Sequence, residues 1–151
     1  MISTQAKAFD RDVGGWDTAA ATTMAAMFYH TDAFNQDVGD WDTARVVSAT
    51  SMFDNAVAFD QYVGDWDIAA MTDVSFMFYY AYALDQDMGA GGWCVPWAVE
   101  AAHMFEHVEC TVRNPLCGVP RGDCDPPTAA PTATPATPAT PATPKPAPTA
   151  P

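Results

Sequence analysis

Basic residues are scarce in this sequence. Residues 1–125 carry five, Lys7, Arg11, Arg45, Arg113 and Arg121, against all nineteen acids of the chain. Such a surface repels nucleic acid and anionic membrane, and suits cations, basic protein surfaces or simple solubility. Long apolar runs are missing as well. No stretch of eighteen apolar residues exists, so no transmembrane helix is expected. The opening MISTQAKAFDRDV lacks the apolar segment of a secretory signal. There is no phosphate loop, no nucleophile elbow and no Ser-His-Asp arrangement, so the sequence points away from an enzyme. Residues 126–151 hold ten of the thirteen prolines and no aromatic residue. That segment cannot bury enough apolar surface to offset chain entropy and is expected to be a disordered linker, or a mucin-like stalk with threonines open to O-glycans.

What the chain does have is a period. Tryptophan recurs at Trp16, Trp41 and Trp66, 25 residues apart, and Trp93 follows after 27. Twelve residues after each comes a phenylalanine preceded by methionine: Phe28, Phe53, Phe78 and Phe105. Phe9, Phe34, Phe59 and Leu84 share a further phase. Recurrence of the same apolar residues at fixed phases marks a stacked repeat array. The Trp-Asp dipeptide does not indicate a propeller, whose repeats need about 40–45 residues.

Within one repeat, Phe34 and Val38 flank polar residues, which predicts a short strand with one buried face. Gly14, Gly39, Gly64 and Gly89 mark a bend. Val46, Ala49, Met52, Phe53 and Ala56, and then Met71, Val74, Met77, Phe78 and Ala81, recur at steps of three and four, which predicts a helix. Asp17-Thr18 and Asp42-Thr43 precede these runs as capping residues. The expected fold is an α/β repeat solenoid of about four strand–helix turns over residues 1–109. Its core would hold Trp16, Trp41, Trp66, Trp93, Phe28, Phe53, Phe78 and Phe105.

Cys94, Cys110, Cys117 and Cys124 cluster where the repeats end. Four clustered cysteines in a small acidic domain predict two disulfides and an oxidising compartment, with residues 110–125 as a stapled C-terminal cap. Of the three pairings, Cys94–Cys110 with Cys117–Cys124 is favoured. An oxidising compartment without a signal segment suggests a fragment that begins inside a repeat.

The strings AFNQDVGDWDTARVVSATSMF and AFDQYVGDWDIAAMTDVSFMF resemble the BspA-like leucine-rich-repeat surface proteins, and in particular the repeat of unknown function in mycoplasma-type surface lipoproteins. The resemblance covers about residues 6–109. It implies a leucine-rich-repeat-like stack, an extracellular or cell-surface location, interaction or adhesion, and no enzymatic activity. Two departures stand out. Alanine (Ala19, Ala44, Ala69) occupies the usual serine position, and Tyr62 replaces an aspartate.

Several residues invite sharper readings. Asp12, Asp37 and Asp87 share a phase, as do Asp17, Asp42 and Asp67, and Asp40 with Asp65. Stacked carboxylates repel unless they are paired, hydrogen-bonded or bridged by a cation, so Asp37, Asp40, Asp42, Asp65 and Asp67 are candidate Ca²⁺ or ligand contacts. The alternative is that they cap backbone N–H groups or face water. Arg121-Gly122-Asp123, between Cys117 and Cys124, is a candidate adhesion tripeptide. His103 and His107 flank Glu106 in an inverted zinc-protease pattern. Met104 and Phe105 between them are the repeat's own core pair, so two exposed histidines are the plainer expectation. No cofactor and no metal centre is called for. The function expected is a non-enzymatic surface or secreted module that binds an extracellular protein or glycan. The alternatives are a structural spacer without a ligand and a Ca²⁺-stabilised adhesion module. Tyr29, Tyr79, Tyr80 and Tyr82 are candidate recognition residues, and a contiguous exposed aromatic patch would favour binding over spacing.

Overall fold

The computed structural model describes residues 4–108, 119, 121 and 122. The 25-residue period is realised as successive chain turns stacked in parallel register. Isolated parallel bridges join Thr23 to Ser48, Ser48 to Asp73 and Asp73 to Glu100.

The turns are not built from strands and helices, and this overturns the α/β reading. Among the described residues, helix is confined to α1 (Thr4–Lys7) and a 3-10 turn at Gly89–Gly91. Strand is confined to the parallel pair β1 (Val95–Pro96) and β2 (Arg121–Gly122). The leucine-rich-repeat-like stack of strand–helix turns is therefore not the fold.

The reason lies in where the backbone N–H groups go. In the segment expected to be helical, those of Ala49, Ser51, Phe53 and Asn55 donate to the carbonyls of Asp73, Ser75, Met77 and Tyr79 in the next turn, at 2.8–3.0 Å. An α-helix would spend the same donors four residues back along its own chain. The alternate amides close tight local turns, such as Met52 to Ala49 and Ala56 to Phe53. The third residue of these two turns has positive φ, +54° at Ser51 and +58° at Asn55, the sign that a type II turn requires. The same phases carry positive φ at Ala26 and His30, Phe76 and Tyr80, and His103 and His107. A positive φ every four residues excludes a continuous right-handed helix. The three- and four-residue spacing of apolar residues survives because consecutive tight turns return side chains to the core at nearly that interval.

The expected strand fails for a related reason. Asn35 and Asp60 receive their inter-turn bonds from side chains, not from a backbone ladder. The Asn35 N–H donates to Asp10 Oδ1 (3.0 Å), the Asp60 N–H to Asn35 Oδ1 (2.9 Å) and the Asp85 N–H to Asp60 Oδ1 (3.0 Å). Gln36, Gln61 and Gln86 donate to the same oxygens at 2.7–2.9 Å. Phe34 and Val38 are nevertheless buried, as the alternation predicts.

Gly14 and Gly39 sit in bends closed by Trp16 N–H to Val13 and Trp41 N–H to Val38. A Cβ on Gly14 would lie 3.1 Å from the Asp37 carbonyl, and one on Gly39 3.1 Å from that of Tyr62. Close approach of the next turn, not positive φ, selects glycine there.

Rings stack through the core. Phe28, Phe53, Phe78 and Phe105 form one column with centroids 5.4–5.6 Å apart. Phe9, Phe34 and Phe59 form a second, and Leu84 ends it as a fully buried residue. Trp41 and Trp66 stack at 6.4 Å and 1°. Of the eight expected core aromatics, Phe105 is partly buried and Trp16 is 51% exposed. Trp16 stacks on Trp41 at 6.0 Å.

At the far end, Val95 and Val119 are buried and belong to the same core. Cys94 is disulfide-bonded. Cys110, Cys117, Cys124 and their pairing lie outside the described residues, as do nearly all of the expected cap at 110–125 and the whole tail at 126–151. Among the described residues no helix is long and apolar enough to cross a membrane.

Candidate binding face

The outward side of the stack is set by the tight turns themselves. In the turn closed by Thr31 N–H to the Phe28 carbonyl, the two central residues are Tyr29 and His30. The equivalent central pairs are Asp54-Asn55, Tyr79-Tyr80 and Glu106-His107. Stacking these pairs produces two adjacent columns. One reads Tyr29, Asp54, Tyr79, Glu106; the other reads His30, Asn55, Tyr80, His107. Neither contains a lysine or arginine.

Where the third and fourth turns meet, six rings touch in one network outside the core. Tyr80 stacks flat on His107 (4.2 Å, 4°), meets Tyr79 edge-on (4.3 Å) and reaches Tyr82 (5.6 Å). Phe76 stacks on His103 (4.9 Å, 21°) and contacts Tyr79 edge-on (5.5 Å). Tyr79 also contacts both histidines. Tyr82 is 48% exposed, and His103 and His107 are exposed. Glu106 carboxylate oxygens meet His103 Nδ1 and, at 3.5 Å, His107 Nε2. The Tyr79 phenol is pushed up to about 12. Its hydrogen bond with Tyr80 is the largest cause, followed by burial and by the negative charges of Tyr80, Glu106 and Asp54. The face is thus aromatic and electronegative together.

Phe76 and Tyr80 hold positive φ, +58° and +56°, which is costly for bulky residues. The inter-turn bonds from their own N–H groups, to Ala102 and Glu106, hold them there. The expected tyrosine candidates Tyr79, Tyr80 and Tyr82 are brought together. Tyr29 lies two turns away, 41% exposed, with His30 edge-on at 4.3 Å. Phe76, His103 and His107 joined this face without being foreseen. Their signal was available in the phases: 76 and 103 align with each other, as do 80 and 107, once the two-residue insertion is allowed for.

The acidic candidates fare differently. Asp42 Oδ1 and Asp67 Oδ1 accept the N–H groups of Ala44 and Ala69, at 3.1 and 2.9 Å, as Asp17 Oδ1 does from Ala19. Asp37 Oδ1 accepts from Gly39 N–H at 2.9 Å, as Asp12 Oδ1 does from Gly14. These carboxylates tie down their own bends and cap no helix. Asp37 and Asp40 line an open hollow with Asp12, Gly14, Gly15 and Gln36. Asp65 hydrogen-bonds Tyr62, whose phenol is pushed up by burial first and then by Asp65 and Asp87. Among the described residues no group of three His, Cys, Asp or Glu is placed to hold a metal ion. Arg121 and Gly122 form β2 beside Val95 and Pro96. Asp123 lies outside the described residues, so the tripeptide's geometry does too.

Comparison with known families decides the kinship. The family described as Mycoplasma protein of unknown function, DUF285, matches residues 1–115. The chain belongs to that repeat family. No curated protein and no solved structure matches it.

Proposed function

We propose that the chain is a non-enzymatic binding module, secreted or displayed at a cell surface, that captures an extracellular protein or glycan on its outer face. The observation that carries this reading is the six-ring network of Phe76, Tyr79, Tyr80, Tyr82, His103 and His107, which lies outside the core columns and at the turn surface. A spacer needs rings in its core, and these rings are additional to that need. Tyrosine supplies large rigid contact area and a hydrogen-bonding hydroxyl, the combination favoured at recognition surfaces. The repeat's resemblance to BspA-like surface proteins supports the location and the adhesive role. The acidic, base-poor surface makes nucleic acid and anionic membrane poor partners.

The test is a binding screen of the full chain against arrays of extracellular proteins and glycans, repeated with Tyr80→Asn and Tyr82→Ala. The expected result is a ligand that the native chain binds and the two variants bind more weakly. If nothing binds, or if every ligand is indifferent to both substitutions, the module is a spacer.

A further inference from the structure

Acids alternate with tyrosines along the outer column: Tyr29, Asp54, Tyr79, Glu106. Adjacent turns are held about one ring spacing apart, as the 5.4–5.6 Å steps of the neighbouring Phe28–Phe105 column show. Tyr79 therefore has the exposed Glu106 carboxylate one step away on one side, and on the other Asp54, which is buried and accepts from Asn55 Nδ2. We propose that this face is the docking site for a lysine- or arginine-rich segment of a partner protein, an inference that rests on the binding reading above and names its partner class. A guanidinium or ammonium laid on the Tyr80 or Tyr82 ring is attracted by the ring's negative face. A second cation one residue further along the partner reaches the exposed Glu106, where Arg can bond a carboxylate in bidentate fashion.

Three features favour a basic protein segment over a glycan. The columns around the face contain no lysine or arginine, and the Glu106 carboxylate meets two histidines, His103 and His107. Of the chain's bases, Lys7 is committed elsewhere, to Asp32 at 3.0 Å. The whole chain carries a formal charge of −13, which steers cations toward it over longer range. The negative field is already felt at the face, because Glu106 and Asp54 both help to hold the Tyr79 phenol protonated.

The experiment uses the full chain and a labelled hexa-arginine peptide at pH 7.5 in near-physiological salt, read by fluorescence anisotropy, with hexaglutamate and maltohexaose as comparison probes. Hexa-arginine is expected to bind and hexaglutamate is not. Tyr80→Asn installs the residue that the second turn carries at this phase (Asn55), so it is compatible with the turn, and Tyr82→Ala removes an exposed ring. Each is expected to weaken hexa-arginine binding by about two- to fivefold, the range for an exposed cation–ring contact. Glu106→Gln is expected to weaken it further, whereas Asp42→Asn, the same charge change at a backbone-capping carboxylate, is expected to leave it nearly unchanged. Equal losses for Glu106→Gln and Asp42→Asn would show diffuse charge attraction and sink the proposal. So would hexa-arginine binding that ignores both tyrosine changes. If maltohexaose or another screened ligand binds through Tyr80 and hexa-arginine does not, the basic-segment inference fails while the binding reading stands.

Discussion

Trp66 and Trp93 are buried almost equally, at 3% and 2% exposure, yet only one is fully satisfied. Trp66 Nε1 donates to the Val38 carbonyl at 3.0 Å, as Trp41 Nε1 does to Val13 at 3.2 Å. Trp93 Nε1 is buried without a hydrogen-bond partner. Interior bends put two residues between phases, Val38 to Trp41 and Val63 to Trp66; the last bend puts four, Met88 to Trp93, because Gly91 and Gly92 are inserted. The amide follows suit. Trp66 N–H closes its bend on Val63 at 3.1 Å, whereas Trp93 N–H reaches back to Met88 at 3.4 Å. The ring angles differ little: Trp66 is inclined by 30° to Phe53 and Trp93 by 38° to Phe78. Equal burial thus hides unequal bonding, and the interior turns hold the ideal register that the last turn departs from.

The largest effect is expected in the shared core. Phe53 is fully buried and its ring faces Phe28, Phe59 and Phe78 at 5.5, 3.9 and 5.6 Å. Phe53→Ala should cost about 3–5 kcal/mol in urea unfolding, and should lower cooperativity because neighbouring turns lose their common interface. A cost below about 1 kcal/mol would mean that the ring columns do not carry the stability. The tryptophan comparison itself is broken or sharpened by a paired substitution. Trp66→Phe removes a buried bond, though the Val38 carbonyl keeps the Trp41 N–H, an added loss of about 0.5–1.5 kcal/mol, whereas Trp93→Phe deletes an N–H that had no partner. The first should therefore destabilise more than the second. Equal losses would show that bonding does not separate the two turns.

The repeat and most of its buried phases were readable in the sequence, whereas the expected strand–helix turns were not what forms, and Trp16 is half exposed. The 25-residue phases correctly placed Phe34, Phe53, Phe78, Trp41 and Trp66 inside, because burial is a periodicity and periodicity is visible. The same three- and four-residue spacing that reads as a helix is also produced by chained tight turns. Nothing in Val46, Ala49, Met52 and Phe53 announces that their amides point to the next repeat. Asn55, His30 and His107 at positive φ were a faint clue, since Asn and His are enriched there. Phe76 and Tyr80 in that conformation run against local preference, and only the inter-turn bonds explain them. The side-chain ladder of Asp10, Asn35 and Asp60 was equally invisible, because its partners lie 25 residues apart. On the candidate face Tyr79, Tyr80 and Tyr82 were foreseen, along with Tyr29, which lies elsewhere, but their histidine and phenylalanine neighbours required knowing which phases share the surface.

A smaller effect separates the carboxylates in the stack. Burial opposes ionisation of Asp73, but the Ser75 N–H and hydroxyl and the Thr50 hydroxyl outweigh it, so its pKa is lowered. A carboxyl lowered on folding stabilises the fold above the ordinary Asp value of about 3.9, and that contribution is lost as pH falls through the folded value. Asp10, lowered by the Gln36 amide first and then by the Asn35 N–H, acts in the same direction. Thermal midpoints should fall as pH drops below about 4, and less steeply in Asp73→Asn. An identical acid slope in that variant would remove Asp73 from the account.

The smallest effect is expected at the other end of the tryptophan series. Trp16 stacks on Trp41 from one side only and is half exposed, so among the described rings it has a single partner where Trp41 has three, Trp16, Phe28 and Trp66. Trp16→Phe keeps an aromatic face against Trp41 and should cost no more than about 1 kcal/mol, as for a partly exposed apolar contact. The same change at Trp41 removes the Nε1 bond to Val13 and shrinks a buried ring that is stacked on both sides, and should cost clearly more. If Trp16→Phe proved as damaging as Trp41→Phe, a half-exposed ring would be contributing as much as a buried one. The gradient from terminal turn to interior turn, on which the comparison of Trp66 with Trp93 also depends, would then have to be abandoned.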